Sequence, residues 1–211
     1  MSIKNIKNEI IEIGKRLYFK DLTYGTSGNI SVRIDEHVLI TASGTSLSDL
    51  EADDILIIDS SGKVLDSNKK ASSEKMLHLK IYDSRPDINA IVHCHPPAAS
   101  AFAVANIDLD KPNMAENVLY FGKIPVAKYA MPSSNELVDN TAKFFDKHDV
   151  VLMANHGIIA ADKNLKHAFY KTETAEVYAK VCLYSKILGK EVLLDKKQVM
   201  ELEALKRSML S

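Results

Sequence analysis

The stretch IVHCHPPAAS, residues 91–100, places His93 and His95 at the end of an apolar run. The run predicts a strand over residues 88–95 that enters the core, and the two prolines favour the first turn of a following helix. Residues i and i+2 of a strand project to the same side, so the two imidazoles should face one way and Cys94 the other. The stretch therefore predicts a strand–helix junction that presents two imidazoles together.

Outward from this junction, the chain alternates between helical periodicity and short apolar strands. Helices are predicted over residues 3–20, 72–85, 96–105, 136–145, 165–188 and 195–208. Strands are predicted over residues 29–34, 38–41, 55–59, 88–95 and 123–130, with a strand pair or bent strand over 150–160. Several strands follow one another through tight turns. This order favours an α/β protein of α+β-type layers, with a central, mostly antiparallel sheet flanked by helices, over a doubly wound parallel sheet.

Length and composition indicate a single globular domain over residues 1–211. Apolar residues make up 46% of the chain and charged residues 26%, and the net charge of −1 provides no overall field that would attract nucleic acid or a membrane surface. No apolar run approaches the ~18 residues of a membrane span, and the charged amino-terminal segment does not resemble a signal peptide. We expect a cytoplasmic protein.

Other patterns exclude several function classes. The sequence contains neither GxGxxG nor GxxxxGK[ST], so a dinucleotide fold and a P-loop have no support. The two cysteines, Cys94 and Cys182, lie far apart and do not suggest a disulfide framework.

A third histidine, His156 in MANHGIIA, also ends an apolar run and precedes a glycine. A catalytic zinc needs three protein ligands and an open position, so His156 could complete the set begun by His93 and His95. A single histidine at the end of a buried strand is more often a hydrogen-bonded core residue. Two imidazoles on one face are harder to satisfy in that way, and Cys94 has the wrong parity for a ligand.

Glu74 follows two serines at the start of a predicted helix, where a carboxylate can simply complement the helix dipole. Glu74 and His78 are also four residues apart on one helix face, which offers a rival metal pair. We rank this pair lower because His78 should lie towards the apolar face.

Three loops, GTSGN (25–29), ASGTS (42–46) and SSE (72–74), combine small residues with hydroxyl or amide donors. Loop N–H groups, hydroxyls and a helix N-terminus can together bind an anion without a net basic charge.

In this order and spacing, GTSGNISVR, TASGTS, SSEKMLHLKIYDSRPDINAIVHCHPP and MANHGIIA resemble the class II aldolase/adducin family, and most closely its sugar-phosphate aldolases. The resemblance covers roughly residues 5–190. It implies the class II aldolase/adducin-like fold, a homotetramer with active sites at subunit interfaces and a small phosphorylated sugar as substrate. It implies neither nucleic acid nor a membrane as a partner.

The resemblance also implies a reaction and a set of residues. It implies one zinc ion per chain on His93, His95 and His156, although histidine ligands suit other first-row divalent ions too. It assigns Glu74 as the acid/base carboxylate, able to coordinate the ion when no substrate is bound. The reaction is cleavage of a 1-phosphorylated ketose, such as L-fuculose 1-phosphate, into dihydroxyacetone phosphate and an aldehyde through a zinc-stabilised enediolate. The phosphate pocket is assigned to Gly28, Asn29, Ser43, Gly44, Ser72 and Ser73. Burial is expected to raise the pKa of Glu74 above the ~4.3 of an exposed glutamate.

Other activities on this fold remain open. They are a pentulose-5-phosphate 4-epimerase, a methylthioribulose-1-phosphate dehydratase, a decarboxylase of a phosphorylated keto-acid and a metal-free adducin-like scaffold. A scaffold needs no metal set, so the three histidines and Glu74 argue against the last. The family's pocket-closing tyrosine has no aligned counterpart, although Tyr120 and Tyr129 lie nearby. We expect Glu116 to be an exposed helix residue.

Overall fold

The computed structural model describes residues 2–210, with side chains up to residue 208. Its helices are α1 (Ile3–Phe19), α2 (Lys75–Ser84), α3 (Pro97–Ala105), α4 (Ala115–Tyr120), α5 (Asn135–Ala142), α6 (Leu165–Ile187) and α7 (Lys196–Leu210). Its strands are β1 (Asn29–Ile34), β2 (His37–Thr41), β3 (Ile55–Ile58), β4 (Ala90–Cys94), β5 (Val126–Ala127), β6 (Val150–Met153) and β7 (Gly157–Asp162). Within this part of the chain, no helix combines the length and apolarity needed to cross a bilayer.

The strands of the described residues form one sheet in the order β3-β2-β1-β4-β7-β6-β5. Neighbouring strands are antiparallel except β5 and β6, which run parallel. The predicted central, mostly antiparallel sheet is therefore confirmed. β4 lies in the middle of the sheet, between β1 and β7, so the histidine-bearing strand is shielded on both edges.

Helices cover both faces of the sheet. On one face α1, α3 and α6 pack together, and their apolar side chains, such as Ile10 and Phe169, join one buried cluster. On the other face α2 and α5 pack together, and Leu77 and Phe145 belong to the second cluster. Cys94 packs in the first cluster and Ile91 in the second, which follows the alternation expected of a strand buried on both faces.

The structure differs from the predicted elements in a few places. The predicted extended segment 123–130 contains only the two-residue strand β5, and the segment 150–160 resolves into β6 and the start of β7. No range was predicted for the short helix α4, although Glu116 within it was expected to be helical; its N-cap position is Met114, which offers no side-chain cap. The helix predicted from residue 72 begins at Lys75, because Ser73 and Glu74 form a turn in which the amide of Lys75 donates to the carbonyl of Ser72 at 3.2 Å.

Candidate active site

His93 is the best-buried of the three histidines and its ring orientation is fixed by the backbone of the next strand. It is 1% exposed, and its Nδ1 lies 2.8 Å from the carbonyl oxygen of Ile158 in β7. A carbonyl can only accept, so Nδ1 carries the proton and donates it. In the neutral ring, Nε2 therefore offers a lone pair to the cavity side.

His95 lies just beyond β4, with its Nε2 3.1 Å from the Nε2 of His93. Its ring lies against the backbone of Gly157 so closely that a Cβ built on the glycine would be 2.3 Å from His95 Cδ2 and 2.6 Å from the carbonyl oxygen of Cys94. Position 157 must therefore be glycine, because a Cβ there would collide with the His95 ring.

His156 reaches the other two imidazoles from the tight turn between β6 and β7. Asn155 takes a left-handed conformation with φ of 55°, and the amide of His156 donates to the carbonyl of Met153 at 3.0 Å. The His156 ring centroid lies 4.8 Å from that of His93 and 5.1 Å from that of His95. The ligand nitrogens of the three histidines all lie within 4.8 Å of one another.

Glu74 approaches this trio from the N-cap position of α2. Its Oε2 lies 3.1 Å from His93 Nε2, and its Oε1 lies 3.4 Å from His156 Nε2. Asn29 donates from Nδ2 to Oε2 at 2.9 Å. Asn29 is also the residue paired with His93 between β1 and β4, so sheet register brings the amide and the imidazole to the same carboxylate.

The nitrogen and oxygen atoms of this cluster suit the binding of a metal cation. His93 Nε2 and Glu74 Oε2 are both acceptors when the ring is neutral, yet they lie at hydrogen-bond distance from each other. Glu74 Oε1 and His156 Nδ1 are buried and make no hydrogen bond within the described residues. Two facing acceptors need a proton or a metal ion between them, and three imidazoles with an adjacent carboxylate suit a first-row divalent ion.

The electrostatics of Glu74 correct one expectation from the sequence. Burial does raise the pKa of the Glu74 carboxyl, but His93, His156 and the hydrogen bond from Asn29 lower it more, to about 2. The predicted upward shift is therefore wrong, and Glu74 is ionised at neutral pH. Burial lowers the pKa of His95 to about 3 and that of His156 to about 4, so both rings are neutral and can act as ligands.

A cavity of about 170 Å³ opens beside the histidines. All the site residues predicted from the sequence line it, namely Gly28, Asn29, Ser43, Gly44, Ser72, Ser73, Glu74, His93, His95 and His156. The second and third loops are joined by backbone hydrogen bonds, from Ser43 to the carbonyl of Lys70 and from Ser72 to that of Thr41. Gly28, with φ of +82°, brings the first loop so close to β4 that a Cβ would be 2.8 Å from the carbonyl oxygen of His93.

Some lining residues were missed from the sequence, and some candidates lie elsewhere. Thr26, Ala42 and Pro132 also line the cavity, and the exposed Tyr24 has its ring centroid 6.1 Å from that of His95. Thr26 lies inside the GTSGN motif and Tyr24 lies directly before it, so the sequence offered a reason to consider both residues. It offered no such reason for Pro132.

The other candidates of the sequence do not line this cavity. Tyr120 and Tyr129 are more than half exposed, and Glu116 lies exposed in the first turn of α4, as expected. His78, the rival metal residue, is fully buried and is bonded to Ser31 rather than to the trio.

The sequence profile described as the class II aldolase and adducin N-terminal domain matches residues 8–183. The chain belongs to the class II aldolase and adducin family. The family resemblance predicted from the motifs is thereby confirmed. The structure agrees, since a solved L-fuculose 1-phosphate aldolase superposes with a TM-score of 0.91 at 34% sequence identity, covering 100% of this chain and 99% of that one.

Two relatives of this chain span almost the same length. The 5-deoxy-D-ribulose 1-phosphate aldolase of Bacillus thuringiensis is 32% identical over 202 residues, which is 94% of each chain. The L-fuculose phosphate aldolase of Methanocaldococcus jannaschii is 35% identical over 186 residues, covering 87% of this chain and 99% of the relative.

Proposed function

We propose that this chain is a metal-dependent aldolase that cleaves a 1-phosphorylated ketose into dihydroxyacetone phosphate and an aldehyde. One observation carries the proposal: three imidazoles and an ionised carboxylate meet at a cavity whose other wall is made of three small-residue loops. The first group suits an electron-withdrawing cation beside a base, and the loops suit a phosphate.

The relatives narrow the class of ketose. They are named for 5-deoxy-D-ribulose 1-phosphate and for L-fuculose phosphate. Both sugars are ketoses that end in a methyl group, and cleavage of either after C3 of its 1-phosphate leaves dihydroxyacetone phosphate and an aldehyde with a methyl terminus. We propose that this chain acts on substrates of the same type, with L-fuculose 1-phosphate as one of them.

His93, His95 and His156 would hold the cation, with zinc as the proposed ion, one per chain. Bound there, a divalent ion supplies Lewis-acid stabilisation for negative charge on substrate oxygens. The three neutral ligands leave the charge of such an ion uncompensated. Glu74 would be a fourth ligand in the absence of substrate.

Glu74 would move the proton at the reacting carbon. In the condensation direction the ionised carboxylate takes a proton from C3 of dihydroxyacetone phosphate, and that carbon then bonds to the aldehyde carbon. In condensation the aldehyde oxygen also takes up a proton and becomes the C4 hydroxyl. In cleavage the C4 hydroxyl loses its proton as C4 becomes the aldehyde carbon, and the C3–C4 bond breaks with its electron pair on C3. The Glu74 carboxylate, protonated at the expense of that hydroxyl, then gives the proton to C3. General acid–base catalysis of this kind contributes about 10²–10⁴-fold to a rate.

Six loop residues would bind the phosphate and so orient the ketose. They are Gly28, Asn29, Ser43, Gly44, Ser72 and Ser73. Both glycines have positive φ angles. Successive backbone N–H groups in such turns can form an anion-binding concavity.

The assembly and location predicted from the family stay predictions. We propose a homotetramer with interfacial active sites in the cytoplasm. Light scattering coupled to size-exclusion chromatography tests the tetramer, and a monomer at micromolar concentration would contradict it.

The deciding experiment is condensation of dihydroxyacetone phosphate with a panel of short aldehydes, including acetaldehyde and lactaldehyde, followed by NMR. We expect condensation products from the metal-loaded protein. Glu74→Gln should lower turnover at least about 10²-fold while the metal content is retained. No product across the panel, together with epimerase, dehydratase or decarboxylase activity, would reassign the reaction within the family. No activity and no metal binding would leave the scaffold alternative.

A further inference from the structure

Behind the cavity, β1 meets α2 and its N-cap Glu74 in a row of polar pairs, here called the polar ladder. Two pairs are buried and join side chains, Asn29–Glu74 and Ser31–His78. In the third, at the half-buried end, the Arg33 guanidinium donates to the backbone carbonyl of Tyr82. Alternate residues of a strand repeat every ~6.6 Å, and every fourth residue of a helix repeats every ~6 Å. The two periods match closely enough for the ladder to run along both elements, ending at the active-site carboxylate.

The middle of the ladder is the most buried part. Ser31 Oγ lies 2.7 Å from His78 Nδ1 and 2.7 Å from the hydroxyl of Tyr82. Ser31 and His78 are 0% exposed and Tyr82 is 3% exposed, so none of these groups can exchange its partner for bulk water.

Counting protons selects one arrangement of this row. If Tyr82 donates to Ser31 and Ser31 donates to His78 Nδ1, every hydroxyl proton has an acceptor and the His78 proton lies on Nε2. The reverse direction leaves the Tyr82 proton without an acceptor as well as the Nε2 lone pair without a donor. His78 Nε2 makes no hydrogen bond within the described residues, so the first arrangement leaves the smaller number of unpaired groups.

A buried polar row with an unpaired nitrogen is an unusual choice for packing alone. Apolar side chains of the same shape would satisfy this position without any unpaired group. The neighbouring residues of α2 that face the same layer, Leu77 and Ile81, are apolar. His78 also interacts electrostatically with Glu74, one helical turn away.

We propose that Ser31 and His78 are positioning residues for Glu74. Their hydrogen bond fixes the rotation of α2 about its axis and its position along β1. It thereby holds the Glu74 carboxylate 3.1 Å from His93 Nε2 and 3.4 Å from His156 Nε2. The inference rests on the proposed role of Glu74, but it concerns the placement of the carboxylate and can be tested separately from turnover.

The test compares four variants in the metal-loaded protein. His78→Leu keeps an apolar side chain in place of the ring and should lower kcat at least about tenfold, with KM within about threefold and the metal content unchanged. His78→Gln restores a side-chain amide and should recover most of the lost kcat. Ser31→Ala removes a single oxygen and should lower kcat in the same way. Ile81→Ala, on the same helix but outside the ladder, should lower the melting temperature at least as much as His78→Leu while kcat stays within about threefold.

A crystal structure of His78→Leu provides a readout that needs no turnover. We expect the contact between Glu74 Oε2 and His93 Nε2, which is 3.1 Å in the native chain, to lengthen by about 1 Å. If wild-type protein shows no aldolase activity, the proposed function fails and this distance still decides the placement claim. A contact that stays at its native length, or a kcat that follows the melting temperature in all four variants, would overturn the inference. If His78→Leu does not fold, Ser31→Ala answers the same question in both measurements.

Discussion

Replacing Gly157 with alanine should strongly weaken metal binding while leaving the fold in place. The added Cβ would lie 2.3 Å from His95 Cδ2, whereas carbon atoms in contact are ~3.5–4.0 Å apart. One of the two groups must therefore move by about 1.2 Å or more. The same Cβ would lie 2.6 Å from the carbonyl oxygen of Cys94, and movement of the imidazole ring alone does not relieve that second contact. The backbone beside His95 must therefore shift as well, and it displaces the imidazole further from the other two.

The size of this displacement decides the expected loss. Metal–ligand distances tolerate about ±0.2 Å, so a shift of about 1.2 Å takes His95 out of the ligand set. We expect the affinity for Zn²⁺ to fall at least about 100-fold, or about 2.7 kcal/mol, when measured by competition with a chelator. Overpacking should also lower the free energy of unfolding by about 1–3 kcal/mol.

Gly122→Ala is the matched control for this experiment. A Cβ at Gly122 would meet nothing within 4 Å, but its φ of +67° makes the alanine strained. The control should therefore lose stability and keep its metal affinity. Wild-type affinity in Gly157→Ala, or an equal loss of affinity in Gly122→Ala, would refute the argument from ring displacement.

Three further changes test other parts of the structure. In the metal-free protein His78 should account for about 2 kcal/mol of the unfolding free energy lost between pH 7 and pH 5, because burial lowers its pKa to about 3 while an unfolded histidine titrates near ~6.5. This stability is present above that range and lost as the pH falls. Urea unfolding at both pH values should therefore show a loss smaller by about 2 kcal/mol in His78→Leu than in the wild type, and equal losses would contradict the assignment. Ser73→Ala should raise KM for a 1-phosphorylated ketose by about tenfold and leave KM for the unphosphorylated ketose unchanged. Equal effects on both substrates would show that Ser73 does not bind the phosphate. Glu176→Gln should lower the free energy of unfolding by about 1–3 kcal/mol, because the buried Glu176 carboxylate accepts hydrogen bonds from the first amides of α3, Ala98 at 3.1 Å and Ala99 at 2.8 Å. An unchanged melting temperature would show that this helix cap is dispensable.

The sheet and most of the helices could be predicted from the sequence because their signals are local. Alternation along β1 and the helical period of α1 each follow from the residues of a single segment. The same holds for the strand–proline–helix junction after β4. β5 was overestimated because two residues pair in parallel with β6, and nothing within residues 123–130 reports where that pairing stops.

The convergence of the candidate site was predicted only in part. Parity placed His93 and His95 on one side, and His156, at the end of an apolar run, was a candidate third ligand that the family resemblance also implied. The tight turn at Asn155 that brings His156 to the others is a tertiary feature. The pKa of Glu74 was predicted in the wrong direction because its sign depends on distances. Burial was foreseeable, whereas the four partners that lower the pKa come from β4, the turn before β7, β1 and α2.

The position of Tyr24 and the polar ladder were not predicted from the sequence for a related reason. Tyr24 directly precedes a motif, but its place beside His95 depends on tertiary structure, because the amide of His95 donates to the carbonyl of Leu22 at 3.1 Å. Ser31 and His78 lie 47 positions apart, so only the packing of α2 on β1 reveals that they pair.

The most direct test of the whole account is a crystal structure of the protein loaded with Zn²⁺, with the ion located by its anomalous scattering. The account predicts one strong peak per chain, at about 2.0–2.1 Å from a nitrogen of each of His93, His95 and His156 and next to Glu74. A peak bound by other residues, or no ordered ion at this cavity at saturating zinc, would contradict it.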